Sequence, residues 1–303
     1  MVPDTKIVAV NLTAGTAVRY ECPAHHLRYL LPSYAVHDVG LTIRQEPMGW
    51  LLPGWAQLRI VLPSHQITAR RWRSIPFRAA MLYGNRRFAV QLRRELGSTI
   101  IVDFSPAGLA RWFNQPADQL CDRMMPLRSF WSADRSRDLI NRLHGLRRAV
   151  EVKQILDEFF AIDFPASHHD EPALERISVI LAKPSTLTIP ATAAALNMTQ
   201  PSLMRLSYRH FGFPFQVVIR QTRFLRALTT MILADERPNH GVVPPGYHDI
   251  PHYLRDAKDF LGMTPRRFLL QPIAYLRATL RAREITIGAP LPMLDNSFGP
   301  PSL

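Results

Sequence analysis

The 303-residue chain has two cysteines, Cys22 and Cys121, too far apart for a Cys-x-x-Cys pair and too few for a disulfide framework. That scarcity points to a reducing compartment, and the cytoplasm is the expected location. No uncharged apolar run reaches the ~18 residues that a membrane helix requires, and the stretch from Ile7 to Val10 is too short for a signal core. Neither secretion nor membrane insertion is expected. Gly-x-Gly-x-x-Gly, P-loop, Gly-x-Ser-x-Gly and His-Glu-x-x-His motifs are all missing, which argues against an enzyme. Acidic residues are also scarce, 24 against 37 Lys plus Arg, for a net charge of +13. An excess of that size favours a polyanionic partner, nucleic acid first. The charge is uneven: residues 19–94 carry 12 basic and 3 acidic side chains, 95–182 carry 10 and 13, and 183–303 carry 14 and 7. An acidic middle separates two basic ends.

What is present suggests two parts. From Gly40 to about Asp103, short apolar stretches are separated by turn residues: Trp50-Leu51-Leu52, Leu58 to Leu62, Phe77 to Tyr83 and Thr99 to Val102. Such a pattern predicts an antiparallel sheet or barrel. Ser105-Pro106 reads as a helix start, with Leu109, Trp112 and Phe113 at helical spacing. Further helices are predicted over residues 134–144 and 150–160. Pro165-Ala166-Ser167-His168-His169-Asp170-Glu171-Pro172 lacks apolar periodicity and has proline at both ends, so it reads as a linker. The expected division is a sensing or dimerisation domain over 1–164, the linker over 165–172, an all-helical domain over 173–285 and a flexible tail over 286–303. The fold class is α+β: a β-rich, barrel-like N-terminal domain with helices, then an all-α domain with two helix-turn-helix units.

The most specific signal is an internal repeat in the C-terminal half. Thr199-Gln200-Pro201-Ser202-Leu203-Met204-Arg205 aligns with Asp249-Ile250-Pro251-His252-Tyr253-Leu254-Arg255, and Phe211-Gly212 aligns with Leu261-Gly262 at the same offset. Each copy has a capping side chain, a proline in the first turn and a glycine where the helix must end with positive φ. A helix over 190–196 and a tight turn at Asn197-Met198 precede the first copy, completing a helix-turn-helix pattern whose second helix would enter a major groove. On that helix Leu203, Leu206 and Phe211 face inward. Gln200, Ser202, Met204, Arg205, Tyr208 and Arg209 face outward, with Gln, Arg and Ser chemistry suited to base edges and phosphates. A long amphipathic helix over 216–233 links the copies, with Val217, Phe224, Leu228 and Ile232 inward and Arg220, Arg223 and Arg226 outward.

At these residues the chain resembles the AraC/XylS family of bacterial transcription regulators over residues 173–270. Ala195 through Gly212 is similar to that family's first helix-turn-helix, Arg223-Phe224-Leu225-Arg226-Ala227 to its linking helix, and Gly246 through Arg266 to its closing signature. Leu52-Pro53-Gly54-Trp55, Tyr83-Gly84 and Val102 through Gly108 resemble a β-rich domain that precedes such modules. The resemblance implies two recognition helices entering successive major-groove segments. It implies double-stranded DNA as the partner, with a small-molecule effector, a second copy of the chain and RNA polymerase as further candidates. Three features depart from the family pattern. Ile250-Pro251 stands in place of Gln-Ser and cannot make a bidentate adenine contact. The Pro- and Gly-containing stretch 237–245 replaces a supporting helix. Ser207 stands in place of a Phe, leaving Tyr208 to compensate.

The expected reading is therefore a sequence-specific regulator in which Gln200, Ser202, Met204 and Arg205 contact bases. Tyr208, Arg209, His252, Arg255, Lys258 and Arg266 complete the DNA-facing set. An alternative is a protein-interaction module whose second unit no longer reads DNA. A third, an enzymatic N-terminal domain, rests on the unassigned Arg70-Arg71-Arg73 region. The pairs His25-His26 and His168-His169 read as surface and linker residues rather than metal ligands, and no cofactor is expected. His37-Asp38 lacks an accompanying nucleophile, and neither cysteine sits in an activating context.

Overall fold

The computed structural model describes residues 9–13, 16–39, 48–62, 80–93, 97–144, 151–162, 164–183, 187–234 and 243–295. Arg70, Arg71, Arg73 and Phe77, most of the Pro- and Gly-containing stretch (237–242) and the last residues of the expected tail (296–303) lie outside them.

The chain begins with three antiparallel strands, β1 (Ala9–Thr13), β2 (Thr16–Glu21) and β3 (Tyr34–Val39). They are followed by β4 (Met48–Leu51), β5 (Gln57–Leu62), β6 (Ala80–Tyr83), β7 (Val90–Arg93) and β8 (Gly97–Asp103). Next come α1 (Pro106–Phe113), α2 (Ala117–Leu120), the short β9 (Met124–Pro126), α3 (Ala133–His144) and α4 (Glu151–Ala161). The rest is helical: α5 (Glu171–Ala182), α6 (Ile189–Ala195), α7 (Gln200–Phe211), α8 (Phe215–Ala234), α9 (Ile250–Leu261), α10 (Pro265–Leu269) and α11 (Ala274–Ile287).

Among the described residues the main sheet is open, with strand order β1-β2-β3-β8-β5-β6-β9, and β4 pairs with β7 as a separate ribbon. The expected barrel is thus corrected. A barrel requires its first and last strands to pair, and here β1 and β9 are the two edges. The central strands β3, β5 and β8 run antiparallel in continuous register, Tyr34 opposite Val102 and Leu58 opposite the same residue from the other side. β3 is buried on both faces, because α11 lies on the face that a two-layer fold would leave wet, Ala282 packing near Ala35 and Tyr275 meeting His37.

Helix starts follow the residues expected to make them. Ser105 Oγ accepts the Gly108 N–H at 3.1 Å, and Pro106 opens α1 with no N–H to satisfy. Behind α1 an aromatic cluster forms from Phe104, Trp112, Phe113, Trp131, Phe159 and Phe160, with Phe113 and Trp131 stacked at 5.4 Å and the Trp112 and Phe160 rings edge-on at 5.2 Å. The cluster merges with Leu120, Phe211, Phe215 and Phe224, so one apolar core spans the sheet and the helices on either side of residues 165–172. That segment is not a loose connector. Glu171 is buried, and both its carboxylate oxygens pair with Arg111 of α1, the Nε contact being 2.6 Å.

Residues 288–295, expected to fray, pack instead. A short 3-10 turn at Pro292–Leu294 buries Met293 and Leu294, and Asp295 is buried opposite Arg283. Apolar Met293 and Leu294 have a place in the core, which outweighs the loop-like composition around them.

Candidate nucleic-acid interface and a cavity

α6 and α7 meet through a tight turn in which Asn197 adopts φ +54 and the Met198 N–H bonds Ala193 O at 3.0 Å. Asn tolerates that left-handed conformation better than most residues. Thr199 Oγ1 caps α7 by accepting the Ser202 N–H at 3.3 Å and also lies 2.9 Å from Ser202 Oγ. Ser202 Oγ in turn accepts from Arg205 Nη2 at 3.0 Å. This chain of polar groups holds the Arg205 guanidinium over the first turn, beside exposed Gln200. α7 contains no acidic residue, although a helix N-terminus favours one. Its first-turn amides and Arg205 thus form an anion-attracting end, while Arg209, further along, lies 3.5 Å from Asp170 Oδ2. Inward, Leu203, Leu206 and Phe211 are buried as their spacing predicts.

Three residues of α7 depart from expectation. Met204 is half-buried against the core and, with Ile189, Gln200 and Pro201, lines a shallow depression beside α6. Tyr208 is exposed and fills no gap left by Ser207, whose buried hydroxyl donates to Phe213 O at 2.8 Å. His210, which the sequence did not single out, is buried, with Nε2 2.7 Å from Asp170 Oδ2. Burial lowers the imidazole's pKa while the Asp170 contact opposes the shift; the Asp170 carboxyl is held below the usual range because His210 and the neighbouring histidines outweigh its own partial burial.

α9 repeats the grammar: Asp249 accepts the His252 N–H at 2.7 Å, Pro251 follows in the first turn, and Gly262 ends the helix at φ +70. The described residues before it, 243–249, are not helical. Arg255 and Lys258 are exposed with no ion pair among the described residues, and Arg266 is exposed on α10. His252 is half-buried, its Nε2 3.2 Å from Arg223 Nη2 and its ring edge-on to Tyr247. Beneath them lies a buried carboxylate that sequence reasoning missed. Asp256 accepts from Arg220 (2.6 and 2.9 Å), Arg223 (2.9 Å) and the Tyr247 hydroxyl (2.9 Å). Burial and the Asp256 charge push the Tyr247 hydroxyl well above its ordinary pKa. Arg220 and Arg223 therefore do not point to open solvent as expected, and Arg226 is also engaged, donating to Leu181 O and Ala182 O at the end of α5. An Arg every third residue on a helix gives the same pattern whether it meets water or a carboxylate on a neighbouring helix.

The sheet half grips the helical half at several points. Asn85 Nδ2 donates to His210 O (3.0 Å) and Phe211 O (3.1 Å), capping the end of α7. Gln221 Nε2 donates to Arg86 O at 3.0 Å, the Ala89 N–H bonds Phe260 O at 2.7 Å, and the Trp50 and Phe268 rings meet edge-on at 5.0 Å.

A cavity of about 550 Å³ lies between the main sheet, the β4–β7 ribbon, α11 and the 290–293 turn. Trp50, Leu280 and Met293 contribute apolar surface, while Tyr20, His37 and Arg59 contribute polar groups. The Tyr275 hydroxyl and His37 Nδ1 are 2.8 Å apart, and burial holds the Tyr20 hydroxyl far above its ordinary pKa. Arg283 reaches in from α11, with Nε 3.3 Å from Ser33 Oγ, Nη1 2.5 Å from Ala289 O and Nη2 3.3 Å from Asp295 Oδ2. Leu276, Leu280, Arg283 and Ile287 fall at helical spacing, so an arginine inside an apolar stripe was the available signal for this site.

No family model matches the chain, and neither does any curated protein. Among solved structures it is similar to ToxT from Vibrio cholerae O395 at 10% identity and a TM-score of 0.37, over 85% of this chain and 98% of that one. A second ToxT structure gives 10% identity and 0.36 over 84% and 97%. A third, bound to (E)-4-(8-methylnaphthalen-1-yl)but-3-enoic acid, gives 12% and 0.37 over 83% and 96%. The superpositions are loose, and this chain's own residues carry its functional reading.

Proposed function

We propose that the chain is a sequence-reading DNA-binding transcription regulator of the AraC type, with residues 173–285 as the DNA-reading part and residues 1–164 as the sensing part. The supporting observation is the N-terminal face of α7. Exposed Gln200 and the Thr199–Ser202–Arg205 chain sit at an uncompensated positive helix end, with Tyr208 and Arg209 further along. Gln can bond adenine and Arg guanine in bidentate fashion, and a helix fits the major groove. In this reading α6 and α7 form the first helix-turn-helix. Arg255, Lys258 and Arg266 contact phosphates, and His252 flanks them. Met204, turned toward α6, contributes at most an apolar contact to a thymine methyl. The cavity, whose volume falls within the range of small-molecule sites (~300–1,000 Å³), receives the effector, and α11 carries its occupancy to the helical half.

The test is fluorescence-anisotropy binding to a random duplex library and to candidate operator DNA across a salt series, for wild type and Gln200→Ala/Arg205→Ala. Sequence-selective binding at physiological salt, lost in the double variant, supports the reading. Binding that is salt-labile and indifferent to sequence overturns it, because only phosphate contacts would then remain.

A further inference from the structure

The segment expected to be a plain polar linker meets α7 in an unusual cluster. His168 and Asp170, on the approach to α5, come together with His210 in the last turn of α7. One donor atom from each lies within 4.8 Å of the other two. His210 Nε2 is 2.7 Å and His168 Nδ1 3.8 Å from the same oxygen, Asp170 Oδ2. His169 Nε2 stands 3.2 Å from the other, Oδ1. The His168 ring lies 4.3 Å from that of His169 and 5.1 Å from that of His210. The remaining neighbour is Arg209, with Nη1 3.5 Å from Asp170 Oδ2.

We propose that His168, Asp170 and His210 form a binding site for a divalent transition metal, zinc above all. Two imidazoles and a carboxylate are the donor set that zinc, nickel and copper prefer over magnesium or calcium. Ligand bonds of ~2.0–2.2 Å in a tetrahedron place donor atoms about 3.3–3.5 Å apart. The 2.7 and 3.8 Å separations bracket that value and the two imidazole nitrogens lie within 4.8 Å of each other, so side-chain rotation can bring the three donors onto one ion. His168 Nδ1 now accepts the Asp170 N–H at 3.2 Å, so its lone pair is unprotonated and a metal ion would take the place of that backbone donor. His210 is buried and fixed by the core around α7, supplying the rigid member of the set. His169, exposed beside Oδ1, falls outside that set of three, so the fourth position is left to water. A dication here neutralises Asp170 and displaces Arg209 from it. The site would thus pin the 165–172 segment to α7 and free exposed Arg209 from its ion pair; this second consequence for DNA rests on the function proposed above, whereas the site itself does not.

The test uses the full chain stripped with chelator, then titrated with Zn²⁺ in competition with a chromophoric chelator. The expected result is one tight equivalent, weakened about tenfold or more by His168→Ala and by Asp170→Asn. It should be unchanged by His25→Ala/His26→Ala. Co²⁺ loading should give visible d–d bands that His168→Ala abolishes, a readout that does not depend on the stability of a buried His210 variant. No stoichiometric Zn²⁺ binding at micromolar concentration overturns the proposal, and so does binding that His168→Ala and Asp170→Asn leave intact. Loss of DNA binding in any variant bears only on the function reading, since metal affinity is measured without DNA.

Discussion

α7 and α9 share a twelve-residue length, a capping Thr or Asp, a proline in the first turn and a left-handed glycine at the end, yet they sit in different surroundings. α7 has a helix before it, a polar outer face and a C-terminus fastened to the sheet half through Asn85. α9 has a non-helical approach over 243–249, is fastened to α8 through Asp256 and meets the sheet half through the Ala89–Phe260 backbone bond, its glycine standing in open space. Shared local grammar makes the two helices; what lies beside them decides which end is rigid and which face is left for a partner.

The largest effect that would test this contrast is expected from Asp256→Ala. Removing a fully buried carboxylate that receives two guanidinium groups and a phenol leaves half-buried Arg223 without a carboxylate partner and Arg220 with Asp259 alone. A loss on the order of 3–5 kcal/mol in a urea melt is expected, centred on the α8–α9 pair. A near-neutral result would mean that α9 is not anchored through Asp256. Next come the two glycines. A Cβ at Gly262 meets nothing within 4 Å, so Gly262→Ala carries only the left-handed penalty of about 1–2 kcal/mol. At Gly212 the same atom would lie 2.8 Å from Ala117 O and from Cys121 Cβ. Gly212→Ala is expected to lower the melting temperature by more than Gly262→Ala, and equal shifts would show that the sheet half does not press on α7. On DNA, Arg205→Ala should cost about 1–3 kcal/mol at one base position. Arg255→Ala should instead weaken all sequences alike and lower the salt slope by about one. Matching profiles would erase the distinction between the two helices. The smallest effect concerns Cys121, whose thiol is pushed up to about 12 by burial and by Asp122. Its alkylation at pH 8 should be at least about tenfold slower than that of a free thiol. Fast alkylation would show the end of α7 parting from the sheet half.

The helical half was the more legible in sequence. Caps, prolines and glycines act over three or four residues, so the ends of α7 and α9 could be read directly, as could α1 from Ser105-Pro106. The sheet was read only in part. β5, β6 and β8 were marked by apolar runs between turn residues, but β1, β2 and β3 were passed over. β3 is covered on both sides and mixes His37 and Asp38 among apolar residues, so it shows neither a clean alternation nor a continuous apolar run. On α7 the exposure of Gln200, Arg205, Tyr208 and Arg209 followed from helical spacing alone, whereas Met204, expected outward, is half-buried. Asp256, His210 and the cavity did not follow from it, because each depends on a partner dozens of residues away: Arg220 for Asp256, Asp170 for His210, and Ser33 for Arg283. A histidine or arginine on a helix looks the same in sequence whether it faces water or a carboxylate.

α11 packs on β1, β2 and β4, although more than two hundred residues separate it in sequence from the first two strands. During synthesis those strands leave the ribosome long before their cover does. Val18, Tyr20, Ala35 and Ile101, which end buried against Ala282 and Ile287, must therefore wait bare until α11 has been made. The sheet half is thus covered only after α11 is made, and a chain cut short of residue 274 would leave that sheet face bare and sticky rather than give a free-standing sheet domain.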